Sequence, residues 1–142
     1  MTDPAPLSPS GNIPSLITDE LPTIITRAGP NAVFAAQEFF YGKIRNEHTR
    51  RAYQHAVKLF LNWIGKHGGG ELGQIAPWQV GKYFEEMKDT TGIATRNQHL
   101  SALRHFFDGM VTRHAIALNP VLSVRGERYA AIEGKTPEIS ID

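Results

Sequence analysis

The stretch from residue 49 to residue 66 constrains the fold most, because its apolar residues have the spacing of one face of a long helix. Residues three or four positions apart share a side of an α-helix, and the apolar ones here are Tyr53, Val57, Phe60, Leu61 and Ile64. The opposite side carries four polar residues at steps of four, three and four: Arg51, His55, Lys58 and Asn62. Three consecutive glycines at positions 68–70 end the helix. The pattern predicts a core helix with a basic stripe on its outer side.

Three other stretches show helical spacing, and none before the C-terminal tail alternates as a strand would. The first begins at Pro30, a residue suited to a first helical turn, and runs to about Ile44. Another begins at Pro77 and ends near residues 90–92, and its inward residues are Val80, Phe84 and Met87. The last begins near Ala94; its inward residues are Leu100, Leu103, Phe107 and Met110, and a different side carries Thr95, Gln98, Ala102 and His105. We therefore predict an all-α fold, a compact bundle of four main helices.

Composition divides the chain into three parts. Six of the nine prolines fall at or before Pro30 in a stretch rich in Ser, Thr and Ala, so residues 1–29 are predicted to be a flexible tail that does not pack. Residues 30–128 contain the helices and are predicted to be the folded domain. Residues 129–142 are predicted to be a linker.

Charge is distributed unevenly along the chain, although the net charge is only +1. Residues 43–128 hold 13 of the 15 Lys and Arg against 7 of the 14 Asp and Glu, so this part carries +6 and the rest −5. All six histidines lie in the same part. A bias of this size in a short domain favours an anionic partner.

The sequence argues against several classes of function. It has no cysteine, which excludes disulfides, thiolate zinc sites and cysteine nucleophiles. It has no signal peptide or apolar stretch of membrane length, so we expect a cytoplasmic protein without a membrane partner. The histidines form no HExxH motif or cluster with carboxylates, so we expect no metal site and no cofactor.

A set of motifs recurs in a specific order between residues 30 and 128. Thr49 is followed by Tyr53 and by the apolar group Phe60, Leu61 and Trp63; then come Thr95, the HLSALR block at residues 99–104, and Asn119 with Pro120. Each motif alone is weak, but their order and separation together are specific. In this respect the chain resembles the core-binding, SAM-like domain of tyrosine recombinases, the phage integrase family.

The resemblance implies one half of a clamp on duplex DNA, with the second and fourth helices facing the major groove. The implied DNA-binding residues are His48, Thr49, Arg51, His55 and Lys58 on the second helix, and Thr95, Arg96, Gln98 and His105 on the fourth. Arg and Lys neutralise phosphates or read guanine, Gln pairs with adenine, and Thr binds phosphate. Arg104 is a secondary candidate, because it could instead pair with Asp108. The implied partners are a duplex recombination site and other recombinase protomers, with no small-molecule substrate.

The resemblance also implies where catalysis resides. In this family a tyrosine nucleophile, two arginines, a lysine and histidines act from a C-terminal domain, which here would begin near the end of the chain. The last residues, GKTPEISID, resemble the connection into that domain and its opening residues. We therefore expect this chain to bind DNA and not to cleave it.

Three other interpretations remain open from the residues alone. The basic stripe could be an ordinary solvated helix face. The chain could instead be a helical protein-interaction module whose fourth helix and tail dock a partner chain. A helix-turn-helix regulator is disfavoured, because no two helices are joined by the expected short turn. Trp63 and Trp78 are predicted to pack in the core or at its rim.

Overall fold

The structure is a computed structural model that describes residues 21–43 and 45–127, and this part of the chain is helical and contains no β-strand. The α-helices are α1 (Thr23–Arg27), α2 (Pro30–Gln37), α3 (Glu47–Lys66), α4 (Pro77–Met87) and α5 (Ile93–Thr112). A π-helical turn, Glu38–Lys43, continues α2, and a 3-10 turn, Leu72–Gln74, precedes α4. The all-α prediction with four main helices is confirmed.

The ends of the helices follow from local side-chain chemistry. Asn46 precedes α3, and its Oδ1 accepts a hydrogen bond from the main-chain N–H of Thr49 at 3.0 Å, so the helix begins two residues before the predicted start. At the other end, Gly68 has a φ of 101°, and the N–H of Gly69 reaches back to the carbonyl of Ile64 at 2.8 Å. Pro77 occupies the first turn of α4, as the sequence predicts.

The core lies around α3 and α5, which pack against each other more extensively than any other pair of helices. The two helices run antiparallel: Tyr53 contacts Ser101, and two residues later in α3 His55 contacts His99, which lies two residues earlier in α5. Phe60 is fully buried, with its ring 5.1 Å from that of Tyr83 on α4 and 6.2 Å from that of Phe107 on α5. The predicted inward residues of α3, α4 and α5 are buried, except Tyr53, which is half-buried.

The predicted tail is wrong for residues 21–29. Helix α1 lies there, and its Ile25 is fully buried in the core together with Leu21. Arg27 adds a hydrogen bond from Nη2 to the carbonyl of Gly70 at 3.4 Å. A helix of five residues is too short to show helical periodicity, so the pattern misses it. Residues 1–20 of that tail and the predicted linker, residues 129–142, lie outside the described residues.

Candidate nucleic-acid interface

The outer sides of α3 and α5 form one continuous surface, because the two helices are joined side by side. The Tyr53 hydroxyl and the Ser101 hydroxyl are 3.3 Å apart, and the ring of Tyr53 stacks on that of His105 at 6.2 Å. Further along, the rings of His55 and His99 are 6.3 Å apart. Eight of the nine predicted DNA-binding residues belong to this surface, here called the α3–α5 face: His48, Thr49, Arg51, His55, Lys58, Thr95, Gln98 and His105. All are exposed except Lys58, which is half-buried.

The two strong cations of this face are available to an external anion. Arg51 pairs with Glu47 one turn away at 2.7 Å, but both side chains are largely exposed, at 72% and 60%. Such a surface ion pair contributes little, so its guanidinium can exchange the carboxylate for a phosphate. Lys58 has no carboxylate partner among residues 21–43 and 45–127. Its half-buried position fits a stem that packs along the helix while the ammonium reaches solvent.

Arg96, the ninth predicted residue, does not lie on this face, so its predicted placement is wrong. Its side chain is only 8% exposed and binds both carboxylate oxygens of Glu127, at 2.5 and 2.9 Å. It also donates to the carbonyl of Thr91. The neighbouring Asn97 exchanges two hydrogen bonds with the main chain of Glu127, at 2.7 and 2.9 Å. Together these contacts fasten the segment after α5 to the start of that helix. The partner is 31 residues away, so no local pattern reveals it.

Glu127 should make stability depend on pH. The hydrogen bonds from Arg96 hold the pKa of Glu127 below its usual value of 4.5. A lowered pKa means that the stabilisation is present above pH 4.5 and is lost as the pH falls through the lower, folded-state value.

We therefore expect Glu127→Gln to unfold at a lower urea concentration than the wild type at neutral pH. The gap should shrink as the pH falls below 4.5 and close below the lowered, folded-state pKa of Glu127, where the wild-type carboxylate is protonated as well. Urea titrations at a series of pH values measure this. Asp108→Asn is the control, because the Asp108 side chain is exposed and forms no ion pair within residues 21–43 and 45–127. A gap that persists in acid would contradict the role of the ion pair.

Two further predictions on α5 are wrong in detail. Arg104 does not pair with Asp108; its guanidinium donates to the carbonyl of Val124, and its own carbonyl accepts from Asn119 Nδ2 at 3.2 Å. Ala102, predicted on the outer side with Gln98, is fully buried. Trp78, predicted to pack in the core or at its rim, is 68% exposed and so lies outside the core.

A cleft of about 550 Å³ borders the α3–α5 face. Its lining comes from α3, α4, the segment after α4, and the start of α5, and includes Leu59, Trp63, Met87, Thr95 and His99. The indole N–H of Trp63 donates to Glu86 Oε1 at 2.9 Å, which ties α3 to α4 beside the cleft. Burial, with His55 nearby, lowers the pKa of His99, and its Nδ1 has no hydrogen-bond partner among the described residues.

Leu59 is an exposed apolar residue of this region that the predicted set omits. It lies four residues after His55 and three before Asn62, within the basic stripe. Its side chain is apolar, although 39% of the residue is exposed. The signal was present in the sequence, because helical spacing assigns Leu59 to the outer side of α3. The cleft beside it depends on how α4 packs, which the spacing within α3 does not reveal. None of the helices in the described part has the length and hydropathy to cross a membrane.

Comparisons with known proteins match the part of the chain that contains this face. A family model described as the phage integrase N-terminal SAM-like domain matches residues 39–114, which include all of α3 and α5. Two proteins named tyrosine recombinase XerC, from Vibrio parahaemolyticus and Vibrio campbellii, are each 31% identical in a 108-residue alignment that covers 70% of this chain. The chain spans 34% of the length of these relatives. No solved structure matches.

Proposed function

Since this chain belongs to the family of phage integrase N-terminal SAM-like domains, we propose that it binds duplex DNA as the N-terminal half of the clamp of a site-specific tyrosine recombinase. The observation that carries the proposal is the α3–α5 face, whose cations and hydrogen-bonding side chains are exposed together on two adjacent helices. The DNA would be a recombination site, and the partners would be other recombinase protomers. The protein would act in the cytoplasm, on DNA.

The dimensions of the face fit this partner. An α-helix with its side chains is about 10–12 Å across, and the major groove of B-DNA is about 12 Å wide. Either long helix can therefore enter the groove while the other lies along its edge. The local charge is favourable as well, because the one acid on the outer side of the first turn of α3, Glu47, is already paired with Arg51.

The side chains divide into two proposed roles. Arg51 and Lys58 would neutralise phosphates, which supplies affinity without sequence preference. Gln98 would read a base edge, because a Gln amide matches the N6 and N7 pattern of adenine. Arg96 takes no part, because Glu127 occupies its guanidinium.

The test of this division is Gln98→Ala on two DNA substrates. The chain first enriches a binding site from a pool of random duplexes, and affinities for the enriched and random pools are then measured by fluorescence anisotropy. We expect the variant to lose about 1 to 3 kcal/mol on the enriched pool and little on the random one. Equal losses on both pools would move Gln98 to a phosphate-binding role, and no binding of any duplex would overturn the proposed function.

Cleavage is not part of the proposal for this chain. The matching family model describes an N-terminal domain, and the chain spans about a third of the length of its relatives. We therefore propose that the catalytic groups belong to another domain. Incubation with a nicked suicide substrate should give no covalent adduct. A tyrosine-dependent adduct would overturn this assignment.

A further inference from the structure

An apolar side chain interrupts the polar outer side of α3. Leu59 follows His55 by one turn and precedes Asn62 by three residues, so it lies among the polar residues of the stripe. A single exposed leucine is ordinary on a protein surface. Leu59, however, also lines the cleft beside the α3–α5 face, together with Trp63 and Met87. The outer side of α3 therefore offers an apolar contact that continues into a cavity.

The groups around this cleft do not suit an anion or a metal ion deep inside it. His99 is 6% exposed, and burial disfavours its charged form. Among the described residues the one carboxylate in the lining is that of Glu86, and it already accepts a hydrogen bond from the indole N–H of Trp63. No group of three or more His, Asp or Glu side chains in the described part of the chain could hold a metal. Lys66 supplies positive charge among the lining residues. The cleft thus combines apolar surface with a cationic group.

Duplex DNA offers one group that matches this combination. The 5-methyl of thymine is an apolar group on the base edges of the major groove, and phosphates border it on both sides. We infer that Leu59 and the adjoining cleft bind thymine methyl groups, which makes Leu59 a specificity-determining residue of the DNA interface. This inference rests on the proposed function, because it requires α3 to face the major groove. His55 and Lys66, within one or two turns of Leu59, would meet the flanking phosphates.

The test removes only the methyl groups from the DNA. The 142-residue chain selects the duplexes that it binds from a random pool. The selected pool is then amplified once with dTTP and once with dUTP, which differ only in the 5-methyl group. Removing one buried methyl should weaken binding about fourfold, which corresponds to about 0.8 kcal/mol. We expect the wild type to bind the deoxyuridine pool at least fourfold more weakly, and Leu59→Ala to bind both pools equally. Leu59→Met, which keeps apolar volume, should retain the discrimination.

Each outcome is assignable to one of the two claims. Leu118→Ala is the matched control, because Leu118 is 82% exposed and does not line the cleft. This variant should distinguish the thymidine pool from the deoxyuridine pool as the wild type does. Thermal melting of each variant checks that the fold is intact. Equal binding of both pools by the wild type, or discrimination that survives Leu59→Ala, would overturn the methyl contact while leaving DNA binding intact. Failure to bind either pool would overturn the proposed function itself.

Discussion

Replacing Phe60 by alanine is expected to lower the free energy of unfolding by about 3 to 5 kcal/mol. Phe60 has no exposed surface, and its ring contacts Tyr83 on α4 and Phe107 on α5. Truncation would therefore leave a cavity at the point where three helices meet. Urea unfolding followed by helical circular dichroism measures the loss, which is a large fraction of the stability of a small domain.

Leu118→Ala is the control for this core prediction. The side chain is 82% exposed, so its removal should change stability by less than about 0.5 kcal/mol. A Phe60→Ala variant that unfolds at the same urea concentration as the wild type would show that α3 does not pack with this side inward. The α3–α5 face would then lose its structural basis.

The sequence predicts the long helices well because their periodicity is local information. The spacing of Val57, Phe60 and Ile64 is determined within α3, and the structure buries all three. The positions of His55 and Gln98 on exposed sides follow from the same rule. The family resemblance, carried by motifs within and after these helices, is confirmed as well.

The missed features depend on contacts between distant residues. The sequence gives no sign that Arg96 is buried, because its partner Glu127 lies beyond the end of α5 and contacts it only in the folded structure. Ala102 lies at the correct spacing for the outer side but is covered by packing that its own helix does not determine. Ile25 lies in a segment too short for periodicity. Tertiary packing determines the burial of each of these residues, so the pattern along a single helix cannot predict it.

Removing Arg51 and Lys58 should have the largest effect on DNA binding. Each phosphate contact contributes through the release of about 0.9 counterion, so each loss should weaken binding roughly tenfold at about 0.1 M salt. The double variant should bind about a hundredfold more weakly, with little change in stability, because one side chain is exposed and the other is half-buried. Lys88→Ala is the matched control, since this lysine directly follows α4, lies outside the face and pairs with Glu85.

The salt dependence of duplex binding tests the central claim most directly. If the α3–α5 face neutralises about four to six phosphates, log K plotted against log salt concentration should have a slope near −4 to −5. Arg51→Ala and Lys58→Ala should each make the slope about one unit shallower, and Lys88→Ala should leave it unchanged. A slope near zero, or charge removals at Arg51 and Lys58 that leave affinity and slope intact, would contradict DNA binding by this face.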